Sequence, residues 1–158
     1  MLPTILRKVK NTMSLYETDF YAWTQHQAKA IKEGKWECLD LPNLWEEIEA
    51  LGRREKKELR NRLGVLLGHL LKWEYQAKFR GNSWLATVRE QRREIKVLLE
   101  ENPSLKPYTK EVLLAAYQNG LDLAVRETGF SYDLFPQSCP YSWEQTLDGD
   151  FFPTERTK

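Results

Sequence analysis

The amino-acid sequence predicts an all-α protein: a bundle of four main helices followed by a C-terminal strap rich in proline and aromatic residues. Leucine occurs 23 times, whereas valine and isoleucine together occur 10 times. A sheet-rich core would need more of the β-branched residues. Apolar residues also recur at helical spacing in four successive segments, and residues typical of helix ends bound these segments.

Length and charge exclude several classes of protein. The 158 residues are enough for one domain of ordinary size, so we predict a single helical domain over residues 13–158. The 24 basic and 23 acidic residues leave a net charge of +1, and no overall field favours nucleic acid or membrane. No apolar run approaches the roughly 20 residues that span a bilayer. Two cysteines, Cys38 and Cys139, fit a reducing compartment, which predicts a cytoplasmic protein.

The first twelve residues, 1–12, contain three basic residues and no acidic one. They are either a basic N-terminal arm or an over-extended start whose true initiator is Met13. We favour the second interpretation because nothing before Met13 contributes to a helical face.

The first predicted helix runs from Ser14 to Glu33. Ser14 and Glu17 have the spacing of a capping box, and Gly34 is placed to end the helix. Asp40, which precedes a leucine and a proline, has the position of the N-cap of the next helix.

The second predicted helix, from Leu41 to Phe79, is the longest. Its apolar positions are 41, 44, 45, 48 and 51, then 59, 63, 66, 67, 70 and 71. Positions 48, 59 and 70 are 11 residues apart, close to three helical turns, so the apolar row keeps its phase. Such a long row exceeds what one neighbouring helix can cover, which suggests packing against a second copy or another protein.

Two further helices and the strap complete the chain. We predict helices over Trp84–Glu101 and Leu105–Thr128, with Gly129 ending the second. The strap, Phe130–Lys158, should contain one short helix that Ser142 caps. Its large apolar residues are too many for a free tail, so we expect it to dock on the helices: Phe130, Tyr132, Leu134, Phe135, Tyr141, Trp143, Leu147, Phe151 and Phe152.

Two basic segments, 53–62 and 89–96, could follow a phosphate backbone. The first supplies the candidate anion-binding residues Arg53, Arg54, Lys56, Lys57, Arg60 and Arg62. The alternative, which we favour, is a solvated face whose charges pair three or four residues apart, with the acidic residues of 131–155 folded over it.

A polar cluster is the next candidate site, formed by Glu46, Glu47, Glu49, His69, Lys72, Glu90 and Arg92. We expect Glu46, Glu49, His69 and Arg92 on facing sides of the second and third helices, because polar residues that border an apolar stripe need partners. A di-metal helical site would need Glu-x-x-His, and neither His26 nor His69 follows a glutamate at that spacing. We therefore predict no metal, no cofactor and no catalytic residue.

A candidate interface contains Gly64, Gly68, Trp73, Ser83 and Trp84. Gly64 and Gly68 lie one turn apart inside the long helix, where each glycine costs about 1 kcal/mol relative to alanine. We expect a large aromatic side chain or a neighbouring helix backbone to fill the groove that the two glycines leave.

Several segments match, in order, the motifs of one family. They are LYETDFYAW (15–23), NLWEEIEALG (43–52), LLGHLLKW with YQ (66–76), SW (83–84), EQRREI (90–95), ENPSL (101–105) and LFPQSCPYSWEQTL (134–147). Over about Leu15 to Pro153 the chain resembles the mostly cyanobacterial family called domain of unknown function 29. At Ala77 the chain departs from the family, in which many members have proline.

The resemblance implies an all-α fold and no established biochemical activity. The positions that match its motifs are Glu46, Glu47, Glu49, Gly52, His69, Lys72, Trp73, Ser83, Trp84, Glu90 and Arg92. Our leading hypothesis is a cytoplasmic protein-interaction or homo-oligomerising module without catalysis of its own. The alternative is a nucleic-acid-binding or nucleic-acid-processing protein that uses segments 53–62 and 89–96, with a divalent metal at Glu46–Glu49.

Overall fold

The computed structural model describes residues 15–156, and within this range all regular structure is helical. The helices are α1 (Phe20–Lys32), α2 (Leu41–Tyr75), α3 (Asn82–Glu101), α4 (Thr109–Thr128) and the short α5 (Trp143–Leu147). The predicted all-α fold with four main helices is confirmed. The arm at 1–12, the start at Met13 and the cap at Ser14 lie outside the described residues.

The chain divides into two compact units, a first unit up to Arg53 and a second unit from Arg54. The first contains α1 and the beginning of α2, and the second contains the rest of α2 with α3, α4, α5 and the strap. The single domain over residues 13–158 stays a prediction.

Polar side chains join the two helices of the first unit. The indole of Trp23 donates to the carboxylate of Asp40 at 3.1 Å, and the backbone N–H of Asp40 donates to Gln27 Oε1 at 2.8 Å. The hydroxyl of Tyr16, just before α1, donates to Glu47 at 2.7 Å. The earlier residue Tyr16 contacts the later position Glu47, whereas Trp23 and Gln27 contact Asp40 at the start of α2. Because the order of the contacts is reversed, α1 and the beginning of α2 run antiparallel.

The first helix is shorter than predicted. Residues 15–18 form one helical turn, and α1 begins only at Phe20 because Asp19 leaves the helical conformation. The Asp19 carboxylate accepts a hydrogen bond from the backbone N–H of Ala22 at 3.0 Å and so caps a new helix. Aspartate competes for backbone donors in this way, which favours helix starts over interiors.

The long helix ends at Tyr75, four residues before the predicted Phe79. Gln76 has φ −127° and ψ 58°, and a short 3₁₀ turn follows. Arg80 donates from Nε to the carbonyl of Trp73 at 2.7 Å, so a cation satisfies a carbonyl of the last turn. The apolar period of α2 does not predict this local contact.

Three glycines allow α2 and α4 to pack closely in the second unit. A Cβ added at Gly64 would lie 2.8 Å from Asn119 Cβ, and one added at Gly68 would lie 3.0 Å from the carbonyl oxygen of Gly120. A Cβ at Gly120 would in turn lie 2.9 Å from the backbone nitrogen of Gly68. The expectation of a neighbouring helix backbone over Gly64 and Gly68 is confirmed, and that backbone belongs to α4 of the same chain.

The fourth helix starts later than predicted. Residues Pro103–Tyr108 form a 3₁₀ segment, and α4 begins at Thr109 rather than Leu105. Pro107 lies inside the 3₁₀ segment and has no N–H to donate to a longer helix. At the other end Gly129 has φ +71°, the left-handed conformation of a helix-ending glycine.

The strap docks on the second unit as expected. Phe135 and Tyr141 are buried in its core, where Tyr141 donates to a carboxylate oxygen of Glu74 at 2.6 Å. Ser142 forms the predicted capping box at the start of α5. The core that the strap covers consists mainly of leucines from α2, with residues from α3 and α4: Leu59, Leu63, Leu66, Leu67, Leu70, Leu71, Val88, Ile95 and Ala116.

Candidate functional site

The three glutamates of the predicted polar cluster lie in the first unit. Glu47 accepts from Tyr16, and this hydrogen bond raises the pKa of the Tyr16 hydroxyl to about 12. Glu49 pairs with Arg53 one turn further along α2, at 3.4 Å. Glu46 is exposed. Among residues 15–156, no three histidine, cysteine, aspartate or glutamate side chains are grouped closely enough to hold a metal ion.

His69 contacts its own helix. Its Nδ1 lies 2.9 Å from the carbonyl of Val65, so Nδ1 donates the proton in the neutral tautomer. Burial lowers the pKa of the imidazole and the charge of Lys72 lowers it further, while the hydrogen bond to Val65 and the carboxylate of Glu127 oppose this shift. His69 therefore lies near a pair formed by Lys72 and Glu127, and these differ from the glutamates that we predicted as its partners.

Lys72 is a buried cation with two partners. The residue is only 3% exposed. Its ammonium group forms an ion pair with Glu127 and lies 4.3 Å from the ring centroid of Trp84. A cation against an aromatic face is stabilised most where water is excluded. This contact joins α2 to α3 and combines two residues that the sequence placed in separate candidate sites.

A cation–aromatic cluster forms where the strap crosses α2 and α3. The ring of Trp73 lies 4.8 Å from that of Phe152. The guanidinium of Arg80 lies 5.2 Å from the ring of Trp73, and that of Arg92 lies 5.2 Å from the ring of Phe152. We call these four side chains the cation–aromatic cluster.

Arg92 binds the strap through main-chain carbonyls. Its Nε donates to Thr146 at 2.9 Å, and its Nη2 donates to Phe151 at 2.8 Å and to Gln145 at 3.4 Å. Thr146 and Gln145 supply carbonyls of the last turn of α5, which attract a cation. Burial lowers the pKa of the guanidinium, and the charge of Asp148 opposes this shift. The expected glutamate partners of Arg92 are thus replaced by carbonyls.

The remaining candidate residues have varied surroundings. Ser83 and Glu90 are exposed, and Trp84 is half-buried. Gly64 and Gly68 are buried against α4, so the predicted interface strip is occupied within the chain.

The first basic segment is partly neutralised. Lys56 pairs with Glu111 of α4 at 2.9 Å, and Arg62 pairs with Glu58 at 2.9 Å. The pair of Arg62 with Glu58 has the spacing of four residues that we predicted. The partner of Lys56 lies on α4, whereas we expected the acidic residues of 131–155 over this face. The other basic residues of this segment are exposed, and Arg53 among them pairs with Glu49: Arg53, Arg54, Lys57 and Arg60.

Several residues of these contacts were not among the predicted site residues. Arg80 and Glu127 gave no signal, because each lies in a polar stretch without a distinctive spacing. Tyr141 and Phe152 were predicted only as apolar residues of the strap. Their signal was the density of aromatic residues after Gly129, which indicates docking but does not identify partners.

A row of exposed apolar residues lies along the first turns of α2. Leu41, Trp45 and Ile48 are 64%, 68% and 65% exposed. Gly52 continues the same row, and a Cβ built on it meets nothing within 4 Å. We call these four residues the α2 apolar face. Residues at spacings of four, seven and eleven lie on one side of a helix, so this face is continuous.

The fold and these contacts define an all-α protein whose strap is bound by a buried arginine. The model of the family described as Domain of unknown function DUF29 matches residues 15–152, and the chain belongs to this family. Neither the comparison with curated proteins nor that with solved structures found a match. Along residues 15–156, no helix has the length and apolar composition that crossing a membrane requires.

Proposed function

We propose that this protein is a protein-interaction module without catalysis of its own, and that the α2 apolar face is its docking surface. One observation supports this proposal. Of the exposed large apolar side chains in the described residues, eight lie between Phe20 and Leu51, in the first unit. Contiguous exposed apolar surface on a protein in water is typical of an interaction site.

The second unit offers a weaker docking surface. Its core is covered by the strap, and six of its described large apolar side chains are exposed, against eight in the shorter first unit. We also propose a cytoplasmic location, because Cys38 and Cys139 are both free, as thiols are in a reducing compartment.

An affinity experiment tests the proposal. Full-length protein and the variant Trp45→Glu/Ile48→Glu are immobilised and exposed to an extract of the native host, and retained proteins are identified by mass spectrometry. We expect the wild type to retain a protein, a second copy included, that the variant does not retain. Identical retained sets would contradict the proposal.

A matched variant addresses nucleic-acid binding. Lys57→Glu/Arg60→Glu changes two exposed cations and leaves the α2 apolar face intact. Under our proposal this variant retains the same proteins as the wild type. Salt-dependent binding of DNA or RNA that this variant loses, without loss of any retained protein, would favour the alternative function.

A further inference from the structure

We infer that the occupant of the α2 apolar face is a second copy of this chain, packed antiparallel on it. This inference rests on the proposed function, because it names the partner of the same surface. It is argued from the spacing of the four residues, from the area that they expose and from the position of the charges beside them.

Two copies of the α2 apolar face are complementary in one antiparallel register. In an antiparallel pair centred between Glu46 and Glu47, Trp45 lies opposite Ile48 of the second copy. Leu41 then lies opposite Gly52 of the second copy, where no atom occupies the space that a side chain would fill. A large residue over a bare backbone is the combination that lets two helices approach closely. A parallel pair would instead put Trp45 against Trp45 and Gly52 against Gly52.

The charges do not oppose this register. Glu46 and Glu47 lie nearest the centre along the axis, but at about 100° per residue they point more than about 100° away from the row. Glu47 faces Tyr16 inside its own unit, and Glu49 is paired with Arg53.

The neighbouring helix enlarges the surface. On a helical wheel, Phe20 and Ile31 of α1 lie on the same side of the α1–α2 contact as Leu41 and Ile48. Phe20 and Ile31 are about half exposed, as is Leu51 at the edge of the row.

The exposed area matches what a dimer needs. At roughly 150–250 Å² for a fully exposed large side chain, the six exposed residues leave on the order of 700 Å² per chain. A stable interface of standard size buries about 800 Å² on each partner. The six residues are Phe20, Ile31, Leu41, Trp45, Ile48 and Leu51.

Paired cysteines test the register. In a background of Cys38→Ser and Cys139→Ser, we place a single thiol by Leu41→Cys in one preparation and by Gly52→Cys in another. Along one helix these positions are about 16.5 Å apart at 1.5 Å per residue, too far for a disulfide. Under the antiparallel register, neither preparation crosslinks alone and their mixture gives a disulfide-linked dimer.

Two results would overturn the inference. Crosslinking of Leu41→Cys with itself would indicate a parallel pair and contradict the register. A mass of 18.7 kDa at every concentration in light scattering, the mass of one chain, would exclude the second copy. We expect twice this mass. Ile48→Glu should weaken dimerisation by about 30-fold or more.

A control variant is also needed, together with outcomes that distinguish failure of the dimer from failure of the proposed function. Leu114→Glu changes an equally exposed leucine of α4, outside the α2 apolar face, and should leave the dimer intact. If the wild type is a monomer but still retains a host protein that Trp45→Glu/Ile48→Glu loses, the second copy is wrong and the proposed function stands. If the retained sets are also identical, both fail.

Discussion

Arg92 of α3 donates from Nη2 to the carbonyl oxygen of Phe151 at 2.8 Å, across 59 residues of sequence. The same guanidinium also binds carbonyls of α5, so one side chain fixes two parts of the strap. A lysine has neither the fork geometry nor the number of donors to replace it.

Arg92→Lys and Arg92→Met should both destabilise the protein, by about 2–4 kcal/mol, because buried carbonyls lose their donors. Chemical denaturation followed by tryptophan fluorescence measures the loss. Arg93→Met, a neighbouring exposed arginine, is the control and should change stability by less than about 0.5 kcal/mol. An Arg92→Met protein as stable as the wild type would show that the strap docks without these bonds.

Removal of the strap should destabilise the protein more than the Arg92 substitutions do. Truncation after Gly129 uncovers the leucines of α2 and should cost several kcal/mol, at roughly 1.5–3 kcal/mol for each large apolar side chain lost from the core. We expect aggregation or a much lower melting temperature.

Two adjacent strap residues provide a test within the intact chain. Phe135 is buried and Leu134 is exposed, so Phe135→Ala should cost about 3–5 kcal/mol and Leu134→Ala much less. Equal losses for the two variants would contradict the docking described above.

Alanine substitutions at the glycines of α2 and α4 should lower the stability of the protein by different amounts, in a predictable order. Gly120→Ala should be the most damaging, because its added Cβ meets backbone at 2.9 Å and 3.0 Å. Gly64→Ala/Gly68→Ala should cost on the order of 1–3 kcal/mol by overpacking. Gly52→Ala, measured in dilute protein, is the control and should stabilise α2 by up to about 1 kcal/mol. Stabilisation by all of these substitutions would exclude the close approach.

The contact between Lys72 and Trp84 should show a measurable coupling energy. A double-mutant cycle with Lys72→Met and Trp84→Leu should give about 2 kcal/mol, since the ammonium group is buried. The exposed contact of Lys56 with the ring of Tyr108, at 4.5 Å, is the matched comparison and should give about 0.5 kcal/mol. Equal couplings would mean that burial adds nothing to this interaction.

Stability should fall in alkaline solution because of Tyr141. Burial and the hydrogen bond to Glu74 raise the pKa of the Tyr141 hydroxyl above its ordinary value of 10. Folding therefore favours the protonated phenol, and this contribution is complete below pH 10 and lost as the pH rises further.

The variant Tyr141→Phe should have a flatter stability profile above pH 10 than the wild type. Tyr21→Phe, which changes an exposed tyrosine, should not alter the profile. Denaturation at a series of pH values, with tyrosinate absorbance followed in parallel, gives the comparison. Identical slopes for wild type and Tyr141→Phe would assign the alkaline loss to other groups.

Features that repeat along one helix could be predicted from the sequence. The row of leucines in α2, the glycine pair at 64 and 68 and the end of α4 at Gly129 each follow from local spacing or conformation. Docking of the strap could also be predicted, because its many aromatic residues need to be buried.

Contacts between distant segments could not be predicted. The partners of Arg92 are carbonyls of the short α5 and of the irregular chain after it, and every residue has a carbonyl. Two helix ends could not be predicted for a local reason. The break at Asp19 and the end of α2 at Tyr75 each depend on a side chain that binds a backbone group three to seven residues away. Apolar periodicity contains no information about these hydrogen bonds.

The strap also affects how the chain can fold during synthesis. Its anchors, Tyr141 and the carbonyls that Arg92 binds, leave the ribosome after α2, α3 and α4. Until they emerge, the leucines that the strap covers remain accessible to chaperones and proteases. The second unit therefore matures only after translation has passed Phe152, and chains interrupted earlier should be recognised and degraded.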